Sequence, residues 1–255
     1  MARLLAIDIG NTHLTLGLWD GTRWRNQWRL HTSRERTEDE YGIDLQALLN
    51  GAESNDSLHR VVIGSVVPGL TRTIVTACER YLGLTPLLVG QDLQLGIRIA
   101  TDNPHEVGAD RIANAVATHH LYPGPAIVID MGTATTFDII SRDGDLLGVV
   151  IATGLQLSAD ALAQRAAQLS NVALTAPPSV IARNTIHAVQ AGHIFGYASL
   201  IEGLVARIKR ELNEPDTQVI GTGGLIQLVT PHTDVVDFID PYLTLMGLRL
   251  IAEHN

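Results

Sequence analysis

The chain has 255 residues, of which 45% are hydrophobic and 18% charged, with a formal net charge of −9. That length can bury a substantial core in one large domain or two of ordinary size. The acidic balance argues against a broad nucleic-acid surface, which needs clustered Lys and Arg. A lone cysteine, Cys78, excludes an intramolecular disulfide framework and a cysteine-rich metal site.

No stretch approaches the run of about 18 apolar residues that spans a bilayer. The chain enters a strand at once, without a basic region followed by an apolar segment and a cleavage site. A cytoplasmic protein is expected, with no nucleic acid and no membrane among its partners. The ten histidines show no H-x-x-x-H or HExxH spacing and read as surface or capping residues.

In chain order, an apolar strand ends at Asp8, and Leu14 to Trp19 alternates as a second strand. Asp20-Gly21 makes a hairpin turn into a third strand, Trp24 to Leu30. Thr37 caps a helix running to about Asn50, with acids at its positive end. After a polar loop, Gly51 to Ser57, come a buried strand from Arg60 to Val66, a helix from Pro68 to about Tyr81, and a strand from Pro86 to Val89. A helix from Val107 to Leu121 follows, ending at the breaker Tyr122-Pro123-Gly124-Pro125.

The β-β-β-α-β-α-β order then begins again. Ile127 to Asp130, Thr136 to Ser141 and Leu146 to Ile151 read as strands, and Leu155 to Leu169 as an alanine-rich helix. Thr185 to Leu212 is one long helix with an apolar stripe at Ile186, Val189, Ile194, Tyr197, Ile201, Leu204 and Ile208. Gln218 to Ile220 is a strand leading into Gly221-Thr222-Gly223-Gly224, and Asp240-Pro241 opens the last helix. The expected organisation is two α/β lobes, 1–121 and 122–255, with a central cleft.

The stretch Ile127-Val128-Ile129-Asp130-Met131-Gly132-Thr133-Ala134-Thr135-Thr136-Phe137-Asp138 carries the strongest chemical signal. Gly132 permits a tight turn, the N–H groups and hydroxyls after it can face a polyanion, and Asp130 and Asp138 can hold a cation or water. A capped β-turn explains the segment equally well. The same device recurs at Asp8-Ile9-Gly10-Asn11-Thr12. Two strand–Asp-x-Gly hairpins suggest a duplicated fold whose halves share a phosphate site.

The chain lacks G-x-x-x-x-G-K-[ST], G-x-G-x-x-G after the first strand, and G-x-S-x-G, which sets aside P-loop, Rossmann and nucleophile-elbow chemistry. In Asn103-Pro104-His105-Glu106-Val107-Gly108-Ala109-Asp110-Arg111, Asp110 at a helix start can take a proton from an attacking alcohol, and Arg111 can grip a carboxylate. An acidic helix start with a surface ion pair is the plainer alternative. Gly221-Thr222-Gly223-Gly224 lets a flat ring approach the backbone, or simply turns the chain.

Together these motifs make the chain resemble the type III pantothenate kinase family, whose relatives include the Bvg accessory factors. The resemblance runs end to end, through Asp8 to Thr12, Ser65-Val66-Val67-Pro68, Asp102 to Arg111, Asp130 to Asp138, Asn184-Thr185, Thr222-Gly223-Gly224 and Asp240 to Arg249. It implies a duplicated actin-like (ribonuclease H-like) α/β ATPase fold. The implied activity is transfer of phosphate from Mg·ATP to the 4′-hydroxyl of pantothenate, the first step of coenzyme A synthesis.

By that resemblance Asp8, Ile9, Gly10, Asn11, Thr12, His13, Leu14 and Thr15 form a phosphate turn, with Asp8 near the Mg2+. Asp110 is the general base, and Thr101, Gly108, Ala109, Arg111 and Thr185 meet pantothenate, Arg111 at its carboxylate. Asp130 holds a monovalent cation, K+ or NH4+, Thr133 contacts ATP phosphate, and Gly223 and Gly224 belong to the nucleotide site. The family is homodimeric, which gives Gly192 and Gly196 a role in close helix packing, though ordinary core packing accounts for them as well. Thr101 stands where the family has Tyr, and Gly148-Val149-Val150-Ile151-Ala152-Thr153-Gly154 lacks a glycine and the proline of the family pattern. A phosphatase of the same superfamily and a nucleotide-binding regulatory protein are the alternatives.

Overall fold

The computed structural model describes residues 3–52, 58–90, 92–166, 169 and 172–255. The expected polar loop from Gly51 to Ser57 therefore lies largely outside the described residues, as do 167–168 near the end of the expected helix from Leu155. The described residues fall into two compact units. The first joins Met1–Arg98, Asp102–Ala117 and Leu243–Asn255; the second joins Ile99–Thr101 and Thr118–Tyr242. The expected boundary lies between 121 and 122, whereas Leu243–Asn255 groups with the first unit.

The first unit is built on a five-stranded sheet: β1 (Arg3–Ile9), β2 (His13–Trp19), β3 (Trp24–His31), β4 (Leu58–Ser65) and β5 (Leu87–Leu88), in the order β3-β2-β1-β4-β5. The second unit repeats this with β6 (Ala126–Met131), β7 (Ala134–Ile140), β8 (Leu146–Thr153), β9 (Gln218–Thr222) and β10 (Phe238–Ile239), ordered β8-β7-β6-β9-β10. In each, the central strand pairs antiparallel with the strand that follows it and parallel with the fourth strand of its unit, β4 or β9. The duplication inferred from two Asp-x-Gly motifs is thus a duplication of whole sheets.

On one face of the first sheet, Leu5, Ile7, Leu14, Leu16, Val61 and Ile63 bury themselves against two helices, α1 (Glu38–Gly51) and α2 (Pro68–Ala77). Thr37 and Glu40 close a reciprocal capping box at the start of α1, which satisfies two otherwise orphaned N–H groups. Where the sequence reading ran α2 to Tyr81, the chain continues in a π-turn, Cys78–Leu82, that ends at Gly83 with φ 68°. Burial pushes the Cys78 thiol up to about 12, so it carries no thiolate at neutral pH.

On the other face α7 (Leu243–His254) packs on β1 and β4, and α3 (Ala109–Leu121), of which 109–117 belong to this unit, packs against α7. Asp240 accepts the Tyr242 N–H at 2.8 Å, but α7 starts at Leu243 rather than at Pro241. Gly247 lets α7 meet α3 directly, since a Cβ there would lie 1.9 Å from the Ala113 carbonyl oxygen. Beside it the Thr244 hydroxyl donates to Asn114 Oδ1 at 2.8 Å.

In the second unit α5 (Thr185–Leu212) lies along the sheet, with Ile194, Tyr197, Ala198, Ile201, Val205 and Ile208 on Ile127, Ile129, Phe137 and Val219. Asn184 caps it, accepting the His187 N–H, and Asn213 ends it in the left-handed region at φ 54°. The expected stripe is right from Ile194 onward. Ile186, by contrast, is 54% exposed, so the first turns of α5 stand clear of the core. Helix α4 (Leu155–Arg165) ends at Ala166, earlier than its alanine content suggested. A single-turn helix, α6 (Ile226–Val229), follows β9. Among the described residues no helix is long and apolar enough to cross a membrane.

Two glycines give opposite expectations. Gly247→Ala should destabilise the protein by about 1–3 kcal/mol, because a backbone carbonyl cannot yield to the new methyl. Gly203→Ala, on an open face of α5, should stabilise by about 0.5–1 kcal/mol through helix propensity. Urea denaturation midpoints of the two variants should therefore move in opposite directions.

Candidate active site

Each sheet ends its central strand in the same construction. In the first unit Asp8 pairs with Thr15 and Ile9 with Leu14, and Gly10 closes the turn by donating to the His13 carbonyl at 3.0 Å. In the second, Asp130 pairs with Thr136, and Gly132 donates to the Ala134 carbonyl at 3.0 Å. The second turn is one residue shorter, because β7 starts two residues after its glycine and β2 three after its own. Both turns present backbone N–H groups and a threonine, Thr12 or Thr133, past the carboxyl end of a central strand. That end is where open α/β sheets bind ligands.

In the first unit the turn is braced from β3. The Thr32 hydroxyl donates to the Gly10 carbonyl at 2.7 Å, and the Thr32 N–H donates to Thr12 O at 3.0 Å. On its other side the Val66 N–H donates to the Ile9 carbonyl at 3.1 Å, which continues the β1–β4 ladder beyond Ser65. The Ser65 hydroxyl receives the Val67 N–H and the Thr71 hydroxyl, so Ser65-Val66-Val67-Pro68 builds the start of α2.

Gly108 packs on this same end. A Cβ there would meet Val66 Cγ1 at 3.0 Å and Asp110 Oδ1 at 2.5 Å. Asp110 and Arg111, both half-buried, open α3, and Asp110 Oδ1 accepts the Arg111 N–H at 2.8 Å. The missing side chain at 108 leaves room for the Asp110 carboxylate to fold back onto the loop. The Asp8 turn, Ser65-Val66 and Gly108 to Arg111 therefore gather at one end of the first sheet, although a hundred residues separate them in the chain.

In the second unit the Asp130 turn is held by two glycines. Gly223, at φ 88°, sits so that a Cβ would lie 2.5 Å from Met131 N and 2.6 Å from Asp130 Oδ1. Gly154 sits so that one would lie 2.1 Å from the Thr133 carbonyl oxygen. Gly154 keeps its place because Tyr197 of α5 donates to the adjacent Thr153 carbonyl at 2.6 Å and contacts Thr135 Oγ1 at 2.7 Å. Burial raises the Tyr197 phenol above its ordinary pKa, which keeps it a neutral donor. Tyr197 and Thr32 carried no motif signal. Gly154 did carry one, as the glycine of the family loop that this chain retains, whereas Gly148, also retained, has open space around it.

The remaining sequence candidates are more scattered. Thr101 lies beside the β7–β8 hairpin, where Ile99 bridges Leu146 and the Ala100 N–H donates to Leu146 O. Its hydroxyl is buried with no hydrogen-bond partner among the described residues. Thr185 is exposed at the first turn of α5. Gly224 follows Gly223 in the turn after β9. Asp138 is fully buried within β7, paired in register with Val128, and so is a core residue rather than an exposed ligand.

The electrostatics beside the first turn are cationic. His13 and His31 face each other across β2 and β3 with ring centroids 6.1 Å apart. Burial, then the positive charges of Arg29 and His31, hold the His13 imidazole below its ordinary pKa. Among the described residues no three His, Cys, Asp or Glu cluster as a metal cage. The acidic groups are instead single carboxylates at two strand ends, which suits Mg2+ held by one or two carboxylates together with phosphate and water.

A family model described as type III pantothenate kinase matches residues 4–207. The chain is 43% identical over 254 residues to the type III pantothenate kinase of Geobacillus kaustophilus, covering 99% of this chain and 98% of that one. Among solved structures it is similar to the activator of 2-hydroxyisocaproyl-CoA dehydratase from Clostridium difficile, with TM-score 0.55, 12% identity, and 99% and 94% of the two chains covered. It is also similar to the inorganic polyphosphate/ATP-glucomannokinase of an Arthrobacter species, with TM-score 0.53, 14% identity and both chains fully covered. At such identities these two structures show the fold alone, the actin-like α/β ATPase fold.

The brace at Tyr197 can be tested by removing one atom. Tyr197→Phe leaves the Thr153 carbonyl and the Thr135 hydroxyl without their partner, at an expected cost of about 1–3 kcal/mol. Equilibrium urea unfolding measures it, and an unchanged midpoint would show that the hydroxyl contributes nothing there.

Proposed function

The chain belongs to the type III pantothenate kinase family, and we propose that it carries out ATP-dependent phosphorylation of the pantothenate 4′-hydroxyl with Asp110 as general base. Relatives at 42–43% identity carry the kinase name, and neither the phosphatase nor the regulatory-protein alternative is favoured. The observation that supports this assignment is the position of Asp110. It is half-buried at the start of α3, folded onto Gly108, at the same sheet end as the Asp8 turn.

In this reading the hydroxyl oxygen of pantothenate bonds to the γ-phosphorus as the bond from that phosphorus to the β–γ bridging oxygen breaks. The hydroxyl proton passes to Asp110, and ADP departs. Arg111 orients pantothenate through its carboxylate by a bidentate pair, with Thr101, Gly108, Ala109 and Thr185 completing the site. Backbone N–H groups of residues 9–15, with Thr12 and Thr133, receive phosphate oxygens, and Gly223 and Gly224 border the nucleotide. Asp8 would hold Mg2+ and Asp130 a monovalent cation, K+ or NH4+, and these supply charge neutralisation as negative charge moves toward the leaving group.

Asp110→Asn keeps the shape and loses the base. Its turnover should fall by about 10²–10⁴-fold while ATP binding, measured by calorimetry, stays unchanged. The assay compares ATP consumption with and without pantothenate, in potassium and again in sodium buffer. Wild-type turnover that ignores pantothenate would overturn the kinase reading; turnover equal in both salts would remove the cation assignment at Asp130.

The proposed working state is a cytoplasmic homodimer. Gly192 and Gly196 do not serve core packing, because a Cβ at either meets nothing within 4 Å. They lie in an open groove of about 490 Å³ lined also by Val180, Ala188, Phe195 and Ser199. Next to it Ile181 is 86% exposed and Val180 67% exposed, an apolar strap suited to a second copy of the chain. Gly196→Arg should give a folded monomer by sedimentation velocity. A variant that stays dimeric with unchanged circular dichroism would place the interface elsewhere.

A further inference from the structure

The pantothenate and phosphate roles above leave one charged group at the first turn unused. Strand β3 is an edge strand, and its side chains alternate between the two faces of the sheet. Trp28 and Leu30 pack toward the buried cluster under α1 and α2. Their neighbours Arg29 and His31 therefore lie on the opposite face, and both are exposed.

The register fixes which residues they stand beside. Asp8 is paired with Thr15 on β2, and Thr15 is paired with Arg29 on β3. Directly opposed residues of antiparallel strands share a face. Asp8, Thr15 and Arg29 thus form one row across three strands, spanning about 10 Å at the usual strand spacing. His13 and His31 form the next row, nearer the turn.

This face is not covered evenly. Helix α7 closes it at the far end, where Leu245 reaches Gly17 and Arg249 stacks on Trp19 with its guanidinium carbon 4.6 Å from the ring centroid. Beyond Gly17, Asp8 and Thr15 are half-buried while Arg29 is exposed, with no hydrogen bond or ion pair among the described residues. Arg25, four residues earlier on the same strand beside a register irregularity, is held by Asp20. An edge strand needs charges for solubility, but a paired Arg25 meets that need. An unpaired guanidinium in the row of the phosphate-turn aspartate has a more particular use.

We propose that Arg29 binds the terminal phosphates of the nucleotide, with its planar fork matched to phosphate oxygens, as a residue of the substrate site additional to those of the Asp8–Thr15 turn. A guanidinium suits this task because it stays charged at any working pH and offers paired N–H donors. Burial first, and then the positive charges of Arg29 and His31, hold the His13 imidazole below its ordinary pKa, so Arg29 acts electrostatically on a residue of the turn itself. This proposal rests on the ATP-dependent reading above.

The test is calorimetric binding of ATP and of AMP to the wild-type chain and to Arg29→Gln, Arg29→Lys and Arg25→Gln, without pantothenate. Arg29→Gln should weaken ATP at least tenfold and leave AMP within twofold, Arg29→Lys should recover part of the loss, and Arg25→Gln should match wild type. A merely structural Arg29 would weaken both nucleotides together and lower the thermal midpoint of the free protein. ATP affinity within twofold of wild type in Arg29→Gln overturns the proposal, as does a wild-type chain that does not bind ATP. A chain that binds ATP but transfers nothing to pantothenate sinks the kinase reading alone, and the Arg29 comparison still decides this one.

Discussion

Everything in this chain depends on turning sharply just past a carboxylate at the end of a central strand. A polyanion site needs several backbone N–H groups pointed one way and an acidic group close by for a counter-cation. The glycine two residues after Asp8 or Asp130 makes that compatible with continuing directly into the next strand, and the Gly10–His13 and Gly132–Ala134 hydrogen bonds close the two turns. Because the central strand is paired on both sides, the turn cannot drift. It is anchored at once by β2 and β4 in one unit and by β7 and β9 in the other.

The two copies of the device are supported differently. In the first unit, polar groups brace the turn through Thr32, and the loop at Gly108 brings a carboxylate, Asp110, and a guanidinium, Arg111, to the same sheet end. In the second, the bracing is steric. Gly154 and Gly223 bring backbone so close to the turn that no side chain fits, and a buried phenol on α5 fixes one of those loops. The half-buried Asp110 and Arg111 at the start of α3 lie in the first unit. The second unit offers a rigid frame for Asp130 and Thr133. Phosphoryl transfer asks for this kind of positioning more than for covalent chemistry.

Much of this was legible from sequence because it is carried by local patterns. Alternation and β-branched runs marked nine of the ten strands among the described residues, Thr37 marked the start of α1, and the apolar stripe marked α5. The element ends were harder. Helix α4 stops at Arg165 although alanines favour continuing it, and α7 starts at Leu243 although Asp240-Pro241 looks like a helix opening. In both cases the competing signal is propensity, a weak prior against what the neighbouring elements require. Phe238 and Ile239 form only a two-residue strand, which has no periodicity to detect, and the single-turn helix Ile226–Val229 is too short to separate from a loop.

The sequence by itself determined the repeated strand–Asp-x-Gly device, the duplicated α/β order and the identity of the acids, because each is a property of consecutive residues. The tertiary structure alone decided which residues share a place. Gly247 against Ala113, Gly154 against Thr133, Tyr197 against Thr153, and Arg29 in line with Asp8 are set by strand register and helix packing across tens to hundreds of residues. No spacing rule along the chain encodes them. It also decided that the last helix belongs to the first unit, since the apolar face left open on the first sheet is filled by Leu245 and Leu248, whatever their distance in sequence.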